Sequence, residues 1–406
     1  MVAASSKTLV LSGYYGYRNS GDEAVLQSIL SALEHEGQAA GMKITPVVLS
    51  IDPEWTSRTY GVKSVHRMKL AEVRNAIKNS DGLISGGGSL LQDATGLGSI
   101  PYYLGIIKIA QWLGKPTFIY AQGVGPVRRK LFRPFIASVF RRCEYISVRD
   151  PESAELVRSM GIRKGDVQVV PDPVMGIVLP EKETDPAGAA DLQNGLDVES
   201  HAGLEPNPHA EGGGFSSAPD SGELPVVGVS VRLWNSERTE LAKLAEGLAS
   251  LSRRVPVHIR FLPFHFPGDD EASRFVMERL GNLAEHGSTV SIAAETEHPY
   301  EMLREVSRCR LLVGMRLHSL IYAASQEVPL LGVSYDPKID HFMGRLGSVP
   351  VGTAEELDPR IVASQAERLL LEGGVWRKSH APKISELKRE AQIPAQRIVE
   401  LLQSKG

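Results

Sequence analysis

The chain has 406 residues, 42% of them hydrophobic and 23% charged, which is ordinary for a globular protein and long enough for two domains. Its net charge of −3 leaves no global footprint for nucleic acid, and its two cysteines support neither a disulfide scaffold nor a cysteine metal site. The first residues show no signal-peptide pattern, and charged residues interrupt the most apolar window, residues 100–121. We therefore expect a cytoplasmic protein without a membrane span.

Strand and helix patterns alternate over residues 1–179, which predicts a first α/β domain with a parallel sheet. A strand over Thr8–Ser12 leads through a glycine-containing turn to a helix, whose start has the capping-box pattern Ser20-Gly-Asp-Glu23. The glycine spacing is not that of dinucleotide folds, and Asp22 and Glu23 put negative charge where a phosphate would bind. Asn19, Asp22 and Glu23 therefore suit sugar hydroxyl groups, unless they only cap the helix.

A second candidate ligand loop follows the strand predicted over Gly82–Ser85. The glycines of this loop, including Gly87 and Gly88, would let backbone amides approach a ligand, and Ser89 would cap a helix that begins at Leu90. The simpler interpretation is a tight turn between a strand and a helix.

Residues 128–142, RRKLFRPFIASVFRR, mix six basic residues with apolar ones. Such a segment can lie at an anionic membrane surface. It can equally be an outer helix of the α/β fold, with its apolar face on the sheet. The strand that follows ends at Arg149, which predicts an arginine at the carboxyl edge of the first sheet.

The composition changes at residues 180–224, which are rich in Gly, Pro, Asp and Glu and contain one aromatic residue. This segment predicts a flexible acidic linker or insertion, because it offers too little apolar surface to offset its ordering entropy. Alternating strands and helices resume over residues 225–380 and predict a second α/β domain, whose first strand leads to Arg232. Residues 381–406 predict a charged amphipathic helix at the domain junction.

The stretch Gly314–Lys338 is the strongest candidate for the chemistry. Arg316 and His318 leave the carboxyl end of one buried strand, and Lys338 follows the next, so all three should lie at one sheet edge. Together they suit a small ligand with several negative charges. Alternatively, Arg316 pairs with a carboxylate, His318 caps the helix and Lys338 is solvated. The two domains would face each other across a cleft.

Several motifs in this order resemble the polysaccharide pyruvyl transferases, in particular the CsaB-like cell-wall group. They are GYYGYRNSGDEA, ISGGGSLLQD, YAQGVGP, SVRD with VVPDPV, GMRLHSLIYAA and SYDPK. The resemblance implies a GT-B-like pair of Rossmann-type domains, with the acceptor on the first and phosphoenolpyruvate on the second. It implies pyruvate transfer to a lipid-linked polymer precursor, typically at N-acetylmannosamine, as a 4,6-ketal that anchors S-layer proteins. Phosphoenolpyruvate is then a co-substrate, and we expect no cofactor or metal.

The resemblance also implies that Arg149, His318 and Lys338 contact phosphoenolpyruvate, and we add Arg316 from the same loop. Protonation of the methylene carbon needs an acid that titrates near neutrality, for which His318 is the candidate. Either Asp172 or Asp22 could accept the hydroxyl proton. Two alternatives remain open, a GT-B glycosyltransferase that uses a nucleotide-sugar and a non-catalytic sugar-binding protein.

Overall fold

Two parallel β-sheets form the framework of the protein in the computed structural model, which describes residues 5–93, 98–180 and 223–404. The first sheet has seven strands and the second has six. Every strand pairing in both sheets is parallel, and helices connect successive strands. The α/β class predicted from the sequence is confirmed. Most of the predicted linker, residues 181–222, lies outside the described residues.

The first sheet has the strand order β3-β2-β1-β4-β5-β6-β7. Its strands are β1 (Ser5–Tyr15), β2 (Met42–Ser50), β3 (Lys63–His66), β4 (Gly82–Gly86), β5 (Thr117–Gln122), β6 (Tyr145–Val148) and β7 (Gln168–Val169). Its helices are α1 (Ser20–Ala39), α2 (Pro53–Tyr60), α3 (Leu70–Lys78), α4 (Ser99–Trp112), α5 (Phe132–Phe140) and α6 (Pro151–Ser159), and short 3-10 turns cover Lys164–Asp166 and Pro173–Gly176.

The second sheet has the order β10-β9-β8-β11-β12-β13. Its strands are β8 (Val226–Ser230), β9 (His258–Phe261), β10 (Thr289–Ile292), β11 (Leu311–Gly314), β12 (Leu330–Ser334) and β13 (Gly352–Thr353). Its helices are α7 (Thr239–Ser252), α8 (Gly268–Met277), α9 (Pro299–Ser307), α10 (Leu317–Ser325), α11 (Pro337–Leu346) and α12 (Pro359–Gln403), with a 3-10 turn at Leu283–His286.

The strand order reverses direction next to the first strand of each sheet, between β1 and β4 and between β8 and β11. In open parallel sheets the connections diverge at such a switch point and leave a crevice at the carboxyl ends, where ligands bind. Strands β4, β5, β11 and β12 are buried along their whole length, because helices cover both faces of each sheet. The loops after β1, β4, β8 and β11 are therefore the parts of the fold best placed to form a site.

Contacts between the two halves come from α1, α10, α12 and the turn Pro173–Gly176, whose apolar side chains belong to one continuous core. At the start of α1, the Ser20 amide donates to the Phe264 carbonyl over 3.1 Å. The buried Tyr322 hydroxyl donates to the Ser20 carbonyl over 3.0 Å. Among the described helices, none is long and apolar enough to cross a lipid bilayer.

Helix α12 spans both halves and begins well before the helix predicted over residues 381–406. It has a non-helical residue at Glu372 and then returns to the first sheet, where Gln392 donates to the Gly176 carbonyl and Gln403 to the Ala40 carbonyl. Two prolines, Pro382 and Pro394, lie inside it. Proline is a poor guide to the end of a helix when tertiary packing holds the helix on both sides of the proline.

The helix predicted to begin at Leu90 is wrong. Residues 88–91 instead run beside residues 123–125, where the Gly123 amide donates to Gly88 and the Gly125 amide donates to Leu91. The next helix begins only at Ser99. Because Leu90 and Leu91 are both buried, their apolar pair looks like the start of an amphipathic helix, although its backbone bonds sideways to another loop.

The capping-box prediction is also wrong. Asn19, not Ser20, is the N-cap of α1, and its side chain accepts from the Gly21 amide over 3.1 Å. The Glu23 carboxylate turns away from the helix and accepts from the amides of Gly16 and Arg18 in the preceding loop. A local sequence pattern cannot show which of two nearby sets of amides a buried carboxylate will satisfy.

The loop after β4 yields a stability prediction. Gly87 has φ +69°, and an added Cβ would lie 1.8 Å from a methyl carbon of the buried Val25. Gly61 has φ +66° with nothing within 4 Å of an added Cβ. In urea denaturation, Gly61→Ala should lower the free energy of unfolding by about 1–2 kcal/mol through backbone strain alone. Gly87→Ala adds a clash in the core and should cost at least about 3 kcal/mol. Equal losses would contradict the packing described here.

Candidate active site

A cleft of about 710 Å³ lies between the carboxyl ends of the two sheets. Loops after β1 and β6 form one wall, and loops after β8, β9, β11 and β12 form the other. The lining residues are Asn19, Gly21, Asp22, Arg149, Arg232, Phe264, His265, Arg316, Leu317, His318, Tyr335, Asp336, Lys338 and Ile339. The structure thus brings six of the predicted site residues into one cavity, namely Asn19, Asp22, Arg149, Arg316, His318 and Lys338.

Arg149 is buried and is held from several sides. Its Nη1 lies 3.1 Å from Oδ2 of the buried Asp172, and its Nη2 donates to the Ser89 hydroxyl over 2.7 Å. Its Nε lies 3.8 Å from Asp150. A buried guanidinium is stable only when it is paired and hydrogen-bonded, so these contacts fix its position. Ser89, which was predicted to bind the acceptor, accepts a hydrogen bond from Arg149 in this structure.

His318 approaches Asp172 from the second sheet, on the first turn of α10. Its Nε2 lies 3.7 Å from Oδ2 of Asp172, which is within ion-pair range but beyond hydrogen-bond range. The other side of the imidazole packs on the start of α1, where a Cβ added to Gly21 would lie 2.2 Å from Nδ1. Asp172 is thus shared between a first-sheet arginine and a second-sheet histidine.

The two carboxylates next to His318 have pKa values shifted in opposite directions. Burial raises the pKa of Asp22 to about 6, although His318 and Arg149 act to lower it. Burial also acts to raise the pKa of Asp172, but His318 and Arg149 outweigh it and lower that pKa to about 2. Asp172 therefore stays ionised at neutral pH, whereas Asp22 titrates close to neutrality.

Two further cations line the second wall. Lys338 lies 3.8 Å from Asp336, and burial, together with Arg149, lowers its pKa. Arg232 donates to the Tyr335 hydroxyl over 3.0 Å, and no carboxylate among the described residues pairs with it. The sequence placed Arg232 at a strand end, on the second-domain side of the cleft, but not among the residues predicted to contact phosphoenolpyruvate. Arg232 could have been predicted as a site residue in the same way as Arg149, because both arginines follow the carboxyl end of a buried strand.

Arg316 lines the cleft, but it is already paired. Its Nε donates to Oδ2 of the buried Asp269 over 2.9 Å, and its Nη2 also bonds to this carboxylate. Asp269 in turn accepts from the amides of Phe264 and His265. Of the two interpretations left open by the sequence, the structure shows the ion pair, and a contact between Arg316 and phosphoenolpyruvate stays a prediction.

The residues predicted to bind the acceptor divide into two groups. Asn19 and Asp22 line the cleft. Glu23, which is 2% exposed, does not reach it, and Gly87 packs on α1 while Gly88 lies against Asp22. The three glycines of this loop therefore let α1 approach the sheet closely. Among the described residues, no group of three or more His, Cys, Asp or Glu side chains could hold a metal ion.

A family model described as polysaccharide pyruvyl transferase matches residues 19–337, which include every cleft residue named above except Lys338 and Ile339. No curated protein sequence matches the chain.

Solved structures match almost the whole chain at low identity. A UDP-GlcNAc 2-epimerase from Methanocaldococcus jannaschii has a TM-score of 0.61 and 10% identity, covering 98% of this chain and 99% of its own. The UDP-GlcNAc 2-epimerase from Neisseria meningitidis bound to UDP-GlcNAc has a TM-score of 0.60 and 12% identity, and the match covers 99% of this chain and 100% of the epimerase chain. A glycosyltransferase from Rickettsia africae has a TM-score of 0.60 and 10% identity, and the match covers 98% of both chains. These likenesses confirm the GT-B-like fold.

The contact between Gly21 and His318 gives a test of the site. An alanine at position 21 must push the imidazole away, although alanine itself is favourable in a helix. Since the added Cβ would lie 2.2 Å from Nδ1 and 2.6 Å from Cγ of His318, we expect Gly21→Ala to lower the free energy of unfolding by about 1–3 kcal/mol. Transferase activity should fall at least about 10²-fold.

The matched control is Gly105→Ala within α4, where an added Cβ meets nothing within 4 Å. It should leave activity unchanged. If Gly21→Ala is as active as this control, the position of His318 against α1 is not needed for the chemistry.

Proposed function

Because the chain belongs to the polysaccharide pyruvyl transferase family, we propose that it moves pyruvate from phosphoenolpyruvate onto a saccharide as a cyclic ketal and releases phosphate. The acceptor we propose is an N-acetylmannosamine unit of a lipid-linked precursor of a secondary cell-wall polymer, as in the CsaB-like group, with a 4,6-ketal that anchors S-layer proteins. The observation that carries the proposal is His318, which lies among cations and between two carboxylates with opposite pKa shifts.

Phosphoenolpyruvate has a carboxylate and a phosphate on one small carbon frame, so its site must supply several positive charges. Arg149, Arg232 and Lys338 line the same cavity from both walls. Since burial and Arg149 lower the pKa of Lys338, a bound anion would relieve the repulsion between these cations. Both Arg232 and Lys338 can turn toward an anion without leaving a buried carboxylate unpaired.

His318 is the proposed general acid. It protonates the methylene carbon of phosphoenolpyruvate, which leaves an oxocarbenium-like centre at the neighbouring carbon. One sugar hydroxyl attacks this centre and forms the first C–O bond. The bond to phosphate then breaks, and the second hydroxyl closes the ring. The ionised Asp172, 3.7 Å from Nε2, places a negative charge beside the imidazole.

We propose Asp22, rather than Asp172, as the base. A group whose pKa is lowered to about 2, as in Asp172, holds a proton too weakly to take one from a hydroxyl group. Burial raises the pKa of Asp22 to about 6, which makes it the stronger acceptor. Of the two hydroxyl protons released, one replaces the proton given to carbon and the other leaves with phosphate.

A glycosyltransferase using a nucleotide-sugar would occupy the same cleft, and a sugar-binding protein would need no turnover. One experiment separates the three. The protein is incubated with a panel of lipid-linked disaccharides and either phosphoenolpyruvate or nucleotide-sugars, and released phosphate and nucleotide are measured. Phosphate release from phosphoenolpyruvate supports pyruvyl transfer, nucleotide release supports the glycosyltransferase, and binding without either supports the binding protein.

The sequence left two interpretations of residues 128–142, an outer helix packed on the sheet and a surface for an anionic membrane, and α5 has features that fit both. Ile136, Val139 and Phe140 are buried in the core of the first sheet, as in an ordinary outer helix. Leu131 and Phe135 are 69% and 57% exposed, next to the exposed basic residues 128–130. We propose that this outer surface contacts an anionic membrane when the acceptor is lipid-linked.

We expect His318→Gln to lower turnover at least about 10²-fold while phosphoenolpyruvate still binds with nearly normal affinity. Glutamine keeps a hydrogen-bond donor but has no proton that titrates near neutrality. Single-turnover phosphate release and calorimetric titration measure the two quantities separately, with the exposed His286→Gln as the control. Preserved turnover with lost binding would make His318 an anion contact only.

The pH profile tests the base. Asp22 must be ionised to accept a proton, so kcat/KM should fall as the pH drops below about 6. The charge of Asp172 contributes to the raised pKa of Asp22, so Asp172→Asn should move this acid limb to lower pH. Asp22→Asn should lose activity about 10²-fold and lose the limb. If the acid limb of the pH profile is unchanged in Asp22→Asn, a group other than Asp22 accepts the proton.

The membrane surface is tested by vesicle sedimentation with phosphatidylglycerol vesicles. Neutralising Arg128, Arg129, Lys130 and Arg133 should weaken binding by about 1 kcal/mol per charge. Phe135→Ser should weaken it further, whereas the control Val349→Ser removes a side chain that is 81% exposed elsewhere and should have no effect. If the neutralised variant sediments with the vesicles like the wild type, α5 does not contact the membrane and its role is purely structural.

A further inference from the structure

An exposed aromatic pair lies on the chain segment that leads into the cleft and takes no part in the chemistry proposed above. Tyr14 and Tyr17, at the carboxyl end of β1 and in the loop that follows, stack with ring centres 3.9 Å apart and planes 4° from parallel. They are 39% and 37% exposed. The same loop continues into Asn19 and Asp22, which line the cleft.

Two buried ionisable side chains, Glu23 and Arg67, hold this loop in place. The Glu23 carboxylate accepts from the amides of Gly16 and Arg18, at 2.8 and 3.2 Å, and therefore clamps the residues on both sides of Tyr17. The Tyr60 hydroxyl donates to its other oxygen over 2.8 Å. Arg18 has φ 58°, a left-handed conformation that costs a non-glycine residue about 1–2 kcal/mol.

The second group is Arg67, which is 6% exposed. Its Nη1 donates to the Gly13 carbonyl over 2.8 Å, and its guanidinium carbon lies 5.6 Å from the ring centre of Tyr17. Its Nη2 donates to the Tyr103 hydroxyl, while its buried Nε has no hydrogen-bond partner. Within the described ranges no carboxylate pairs with Arg67. Burying an unpaired cation is costly, and here it fixes a loop whose rings face solvent.

We propose that Tyr14 and Tyr17 form a stacking platform for a pyranose ring of the acceptor, next to the sugar that receives pyruvate. The negatively charged face of an aromatic ring attracts the C–H groups of a sugar, which neighbouring oxygens make partially positive. A preformed platform avoids the entropy cost of ordering aromatic side chains on binding. This inference rests on the proposed function for the identity of the ligand as an acceptor saccharide.

Arg67 and Glu23 are positioning residues for this platform, because each is buried and hydrogen-bonds to backbone groups of the loop. The proposal therefore makes two separate claims. The reacting sugar lies beside Asp22, and a second sugar of the chain lies on the tyrosines. An acceptor with one sugar should not need the platform, and an acceptor with two should.

The experiment compares two probes, the methyl glycoside of N-acetylmannosamine and the disaccharide of N-acetylmannosamine linked to N-acetylglucosamine. Tyr14→Ser and Tyr17→Ser should each raise KM for the disaccharide about 5–10-fold and raise KM for the methyl glycoside much less. Tyr14→Phe and Tyr17→Phe keep the rings and should restore wild-type values. Trp112→Ser, which removes an aromatic side chain that is 73% exposed on α4, is the control.

Saturation-transfer NMR with the same two saccharides and no phosphoenolpyruvate separates this inference from the proposed function. Loss of the disaccharide signal in the serine variants, with the signal kept in the phenylalanine variants, supports the platform even if no phosphate is ever released. Wild-type phosphate release with equal disaccharide KM in all variants overturns the platform and leaves the proposed function standing. A wild-type protein that binds neither saccharide also overturns it.

Discussion

The buried Asp172 carboxylate is the interaction on which the site depends. It pairs with Arg149 of the first sheet and lies within ion-pair distance of His318 of the second. Removing Asp172 would leave a buried guanidinium without its nearest carboxylate, a change that costs several kcal/mol. The backbone reinforces the junction, since Arg345 of α11 donates to the Arg149 carbonyl over 3.3 Å. Two sheets that could slide past each other are thereby held in one register at the point where chemistry is proposed.

The sequence was informative where a residue's position along a strand decides its place in space. Arg149, His318 and Lys338 lie in one cavity because each follows the carboxyl end of a buried parallel strand, and parallel strands end at a common edge. The same rule located the two α/β halves. Short strands such as β3 and β13 were missed, because four or two residues of mixed polarity give no readable period.

The sequence was uninformative where a buried polar group selects a distant partner. Nothing near Arg316 in the chain indicates Asp269, and nothing near Glu23 indicates that Tyr60 will donate to it. The difference between Asp22 and Asp172 has the same origin, since their pKa values depend on burial and on charges brought from both sheets. Such choices are made when the chain packs, so residue type and spacing do not determine them.

The path of α12 has a consequence for the order in which the protein can fold. Ile384, Ile398 and Leu402 belong to the same core as β1 and α1, although they are synthesised after the whole second sheet. Domains usually fold as units while the chain emerges from the ribosome, beginning at the N-terminus. Here the first sheet must wait with an apolar face uncovered until the last long helix arrives.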